Sequence, residues 1–85
     1  MLQKETIRPM NNARRRRLRA LIAACESLRD QLADLSAEED RAQASMPENL
    51  IESPQYIRMD WACIHLDQAR AAAETAIAEM TEAMQ

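Results

Sequence analysis

Residues 18–46 read LRALIAACESLRDQLADLSAEEDRAQASM. Within them Leu18, Leu21, Cys25, Leu28, Leu32, Leu35, Glu39, Ala42 and Met46 recur at alternating steps of three and four. That is the a/d alternation of a helix that lays one seam against another helix. Glu39 alone interrupts the apolar run, and neither Gly nor Pro breaks it. The spacing predicts one long helix over 11–46, continuous through Ser36, although Ser36-Ala-Glu-Glu could also serve as a second helix start. At ~1.5 Å per residue such a helix is roughly 50 Å long.

Outward from this stretch, the chain supplies a partner for the seam. Ser53-Pro54 carries a helix start signal, with Ser as the cap and Pro in the first helical position. From there to residue 84 two apolar ladders overlap. One runs through Met59, Ala62, Leu66, Ala69, Ala73, Ala76, Met80 and Ala83. The other runs through Cys63, Leu66, Arg70, Ala73, Ile77, Met80 and Met84. Ile57, Trp61 and Ile64 add a third apolar face. Residues 47–53, PENLIES, form the turn, and Leu50 and Ile51 are expected to close the end of the core. Residues 1–10 read as an N-terminal arm, since Pro9 disfavours helix at Arg8. Asn11 or Asn12 caps the first helix.

Composition supports the same class. The 85 residues contain no Gly and no Phe, with one Trp and one Tyr, so the turns and strands of a sheet protein have no raw material. The expected fold is all-α: a long, coiled-coil-like antiparallel two-helix hairpin. A lone hairpin of this size buries little, and the width of the apolar stripe on the second helix implies association. Dimerisation into a four-helix bundle is the simplest outcome, with Ile57, Trp61, Ile64, Ala69 and Ala73 at the interface between copies.

The net charge of −3 conceals a strong asymmetry. Residues 1–19 carry +6, residues 20–52 carry −6, and residues 53–85 carry −3. Arg14, Arg15, Arg16, Arg17 and Arg19 make the basic cluster. They oppose the macrodipole at a helix start, a local cost. Phosphate contact is one use for them, but consecutive arginines spread over all helix faces and no aromatic residue lies nearby to stack bases. Pairing with the acids of a neighbouring chain is the plainer reading. Glu38, Glu39 and Asp40 form an acidic patch that could meet a basic partner or simply face water.

Chemistry-bearing constellations are missing from the pattern. His65 is the single His, and with Cys25 and Cys63 it falls short of a metal-ligand set. Cys63 and His65, two apart, point to different faces of a helix. No Gly-rich phosphate loop, nucleophile elbow or carboxylate pair is present. No catalysis, no metal and no cofactor are therefore expected. Two cysteines fit a reducing compartment, where Cys25 and Cys63 stay unpaired. The start shows no apolar core of a signal peptide, and no run approaches the ~20 apolar residues of a membrane span. The expectation is a soluble, cytoplasmic protein.

Three segments carry a resemblance: Asn11-Asn-Ala-Arg-Arg opening a Leu-rich helix, the acidic Glu38-Glu-Asp-Arg-Ala, and Met46-Pro-Glu-Asn-Leu before a Ser-capped helix. Over about residues 10–84 the chain resembles a family of small helical proteins of phages and integrative elements of bacteria. It departs after Ser53, where Pro54-Gln-Tyr replaces the usual Glu-Arg-Gly, and in the extension Met1–Pro9. The resemblance implies a mobile-element accessory protein and supplies no catalytic residues. The leading expectation is thus a non-catalytic interaction protein that binds and occludes a host protein, a defence-system component being a candidate. Arg14, Arg15, Arg16, Arg17, Arg19, Glu38, Glu39, Tyr56 and Trp61 are its candidate contacts. A nucleic-acid-binding dimer using the arginines is the second expectation, and a small structural or assembly factor the third.

Overall fold

In the computed structural model of the chain, residues 10–85 are described. They form two long helices, α1 (Asn12–Ala44) and α2 (Pro54–Ala83), joined by a turn that contains one short 3-10 segment, Glu48–Leu50. The arm expected over residues 1–10 lies, apart from Met10, outside the described residues.

Each helix starts where a side chain can satisfy its free N–H groups. The Asn11 side chain accepts a hydrogen bond from the Arg14 N–H at 2.9 Å. The Ser53 hydroxyl accepts from the Tyr56 N–H at 3.2 Å, and Pro54 follows it in the first turn of α2, where its missing N–H has no cost. Helix α1 passes through Ser36 without interruption. It ends at Ala44, two residues before the expected Met46, with the Ser45 hydroxyl donating back to the Arg41 carbonyl at 2.8 Å. Pro47 is extended and stands just before the 3-10 turn.

Two side-chain hydrogen bonds fix how the helices are aligned. The Ser36 hydroxyl donates to Asp67 Oδ1 at 3.0 Å. Gln43 Nε2 donates to Asp60 Oδ1 at 3.1 Å. Both contacts belong to a single antiparallel register. Along it, α1 turns inward Arg15, Leu18, Ile22, Cys25, Arg29, Leu32, Ser36, Glu39, Gln43 and Met46. Helix α2 turns inward Tyr56, Met59, Cys63, Leu66, Arg70, Ala73, Ile77, Met80 and Met84. Both rows alternate by three and four, so the packing is that of a two-stranded coiled coil.

This seam corrects the expected one by one column. Leu18, Cys25, Leu32, Glu39 and Met46 do line it. Leu21, Leu28, Leu35 and Ala42 do not: they stand beside it, and Leu21 is 56% exposed. Ile22, Arg29, Ser36 and Gln43 take their place. On α2 the second of the two ladders, through Cys63 and Arg70, forms the contact. Periodicity alone could not choose between the columns, because both flank the same Leu18–Met46 row. The side-chain hydrogen bonds of Ser36 and Gln43 belong to the arrangement that turns the more polar column inward.

The resulting interior is thin. Among the described residues, Ser36, Cys63 and Ala73 are buried, and no side chain is fully enclosed. Leu50 and Ile51, expected to close the core, are exposed, because the turn carries them past the last inward-facing pair.

Candidate functional site

With so little enclosed among the described residues, the candidate features lie on the surface. The lines of α1 and α2 that flank the seam define two broad faces of the hairpin.

One face is apolar. Leu35 of α1 shares a shallow groove with Ala62, His65 and Leu66 of α2, bordered by Glu38 and Glu39. Toward the other end, Leu21 shares a second groove with Leu18, Ala83 and Met10, bordered by Arg14 and Arg17. Leu28 lies midway between them in the same column and is half exposed. The face thus carries Leu21, Leu28 and Leu35 at strict seven-residue spacing, set beside Ala83, Ala76, Ala69 and Ala62.

The other flank of the seam is acidic. Asp60 and Asp67 accept the hydrogen bonds from Gln43 and Ser36. Asp67 also meets Arg70 Nη2 at 3.4 Å, an exposed pair that contributes little. Cys63 lies against this flank, its thiol donating to Gln43 Oε1 at 3.6 Å. Burial, followed by the nearby carboxylates of Asp40, Glu39 and Asp60, pushes its pKa up from 9.0 to about 11. A thiol held protonated this way is a poor nucleophile. Cys25 and Cys63 are both free.

A third apolar patch lies on the outside of α2 near the turn. Trp61 is 59% exposed and stacks on His65 with ring centroids 5.3 Å apart and planes 12° from parallel. Ile57 and Ile64 are also exposed there. This is the face expected to lie beyond the reach of α1. Ala73, expected with them at the interface between copies, is a correction: it is buried in the seam against α1, so the hairpin itself consumes it. Ala69 remains exposed.

The candidate contacts do not gather at one place. Ala83 sits beside Leu18 and Leu21, so Arg14 to Arg17 run past the end of α2. Arg14, Arg16, Arg17 and Arg19 are exposed, whereas Arg15 turns inward and its Nε donates to the Met10 carbonyl at 3.1 Å. Among the described residues none of the five forms an ion pair. Glu38 is exposed and Glu39 half-buried in the seam. Tyr56, half-buried, and Trp61 lie at the opposite, turn end. The arginines and the aromatic pair are thus separated by most of the hairpin's length. The heptad pattern hides the Leu21–Leu35 face as a surface, since it places the same residues in the core.

Among the described residues, no group of three or more His, Cys, Asp or Glu gathers as a metal site. No helix there is long and apolar enough to cross a membrane. No family model, curated protein or solved structure matches the chain.

Proposed function

We propose that this chain is a non-catalytic helical interaction protein, acting by surface complementarity on a protein partner. The observation that carries this reading is the number of large apolar side chains that the hairpin leaves outside its seam. Trp61, Ile57, Ile64, Leu21, Leu28 and Leu35 are outside, while Ser36, Cys63 and Ala73 are inside. Each large apolar side chain removed from water contributes about 1.5–3 kcal/mol. A chain that leaves these six wet, with Leu50 and Ile51 of the turn exposed as well, holds its binding energy in reserve for another surface. Patches of this kind mark sites of protein association.

The Ile57, Trp61 and Ile64 patch is the surface assigned to the foreign partner. Trp is the side chain most often found to dominate an interface, and here its ring is already steadied by His65. The resemblance to proteins of phages and mobile elements makes a bacterial host protein the expected partner, held in the cytoplasm and occluded, with defence components among the candidates. The test is capture from host lysate with the wild-type chain and with Trp61→Glu as paired baits. The reading predicts a discrete protein retained by the first and lost with the second. Identical recoveries from both baits would reject it.

A second reading, nucleic-acid binding, rests on the exposed Arg14, Arg16, Arg17 and Arg19 running beyond α2. Salt-dependent retardation of DNA or RNA, lost when these arginines become Gln, would favour it.

A further inference from the structure

The apolar face has a polarity that the Trp61 patch lacks. Its two grooves lie at opposite ends of one leucine column. The groove at Leu35 is bordered by Glu38 and Glu39, and the groove at Leu21 by Arg14 and Arg17. Leu28 is equidistant in sequence from Leu21 and Leu35, and it is also the midpoint of α1, Asn12–Ala44. The face therefore maps onto itself with charges exchanged when it is turned end over end about Leu28.

From this we infer that the Leu21–Leu28–Leu35 face is the docking surface for a second copy of this chain. The two α1 helices run antiparallel across a two-fold axis at Leu28, with the two turns at opposite ends of the assembly. In that arrangement Leu28 meets Leu28 of the second copy, and Leu21 meets its Leu35. Arg17 falls opposite Glu38 of the second copy, and by symmetry Glu38 falls opposite the second copy's Arg17. Beside the leucines, Ala69, Ala76 and Ala83 keep α2 low enough for the second hairpin to approach.

Charge selects this geometry over its nearest competitor. A dimer with both turns at the same end would also bury the leucines. It would set one arginine cluster beside the other and one Glu38–Glu39 pair beside the other, and like charges across an interface act against association. The size of the face is sufficient. It is about 50 Å long and two helices, about 20 Å, wide, on the order of 1,000 Å². A stable complex buries ~800 Å² per partner. The arrangement gives the arginine cluster a use within the assembly, and it leaves Ile57, Trp61 and Ile64 on the outside. It does not depend on the foreign partner.

The test is sedimentation equilibrium on the full chain, on Arg17→Glu, on Glu38→Arg, and on an equimolar mixture of the two variants. Both residues are exposed, so the helical circular dichroism should be unchanged. The wild type is expected to dimerise and to weaken from about 0.05 M to about 1 M salt. Each variant alone places like charges at both symmetric contacts and should dimerise about tenfold more weakly. The mixture restores both contacts and should return to wild-type affinity as a heterodimer. A wild-type chain that stays monomeric at high micromolar concentration would overturn the inference. So would variants that self-associate as tightly as wild type, or a mixture no tighter than its components.

Discussion

The hydroxyl of Ser36 on α1 donates to Asp67 Oδ1 on α2 at 3.0 Å, across the hairpin and 31 residues along the chain. With Gln43 and Asp60 at 3.1 Å it sets the register of the whole molecule. Ser36→Ala should cost about 0.5–1.5 kcal/mol, seen as a lower midpoint in urea with unchanged helix content. Leu35→Ala, one residue away but outward, should leave unfolding of the single hairpin nearly unaffected. Measured at a concentration low enough to keep the hairpin monomeric, equal losses from the two would mean that Leu35 packs against α2 as closely as Ser36 does.

Arg70 tests the polar seam from the other side. It is half-buried, and its Nε is enclosed with no hydrogen-bond partner. Replacing it with Met keeps the apolar stem and removes the orphaned donor. Arg70→Met should therefore raise stability, by about 1 kcal/mol, since the exposed contact to Asp67 that is lost contributes little. A fall in melting temperature would show that the Asp67 contact outweighs the orphaned Nε.

The helix starts should be independent of one another. Asn11→Ala and Ser53→Ala each remove the side chain that accepts an N–H bond at a helix start. Each should cost about 1 kcal/mol, and the double variant about the sum, because the two caps share no partner. Ser53→Ala should also loosen the turn. Calorimetry of the two single variants and the double variant checks both statements.

Much of this was legible in the sequence. Ser53-Pro54 and Asn11 marked the helix starts because capping is local chemistry, settled within four residues. The two-helix architecture followed from heptads that neither Gly nor Pro interrupts. The rotation of α1 was not legible. Leu21–Leu28–Leu35 and Ile22–Arg29–Ser36 both flank the Leu18–Leu32 row, and hydrophobicity favours the first. The column that turns inward is the one that pairs with Asp60 and Asp67, which are distant in sequence. The misplaced leucines are what hid the face beside them.

Cys63 should report the closed seam through its chemistry. Its folded pKa of about 11 stands above the 9.0 of an unperturbed thiol. The folded state thus holds the proton more tightly than the unfolded state. Its contribution to stability is complete below pH 9 and disappears as the pH rises through 11. Alkylation at pH 8 should modify Cys63 slowly in the folded chain and rapidly in urea, as followed by mass spectrometry. Replacing Cys63 with Ala should flatten the stability profile between pH 9 and 11. Fast labelling of folded Cys63 would contradict the packing against Gln43.

The leucine column left out of the hairpin is proposed as a surface made for a second copy. The most direct measurement is disulfide trapping of Leu28→Cys under mild oxidation, with the bonds mapped by peptide mass spectrometry so that Cys25 and Cys63 are told apart from the new thiol. A disulfide requires Cα atoms within about 7 Å, and only an axis near residue 28 brings the two copies of that position so close. The expected product is a dimer, twice the 9.7 kDa chain mass, joined through position 28 of both chains. A chain that stays uncrosslinked, or that joins position 28 only to a native cysteine, would contradict it.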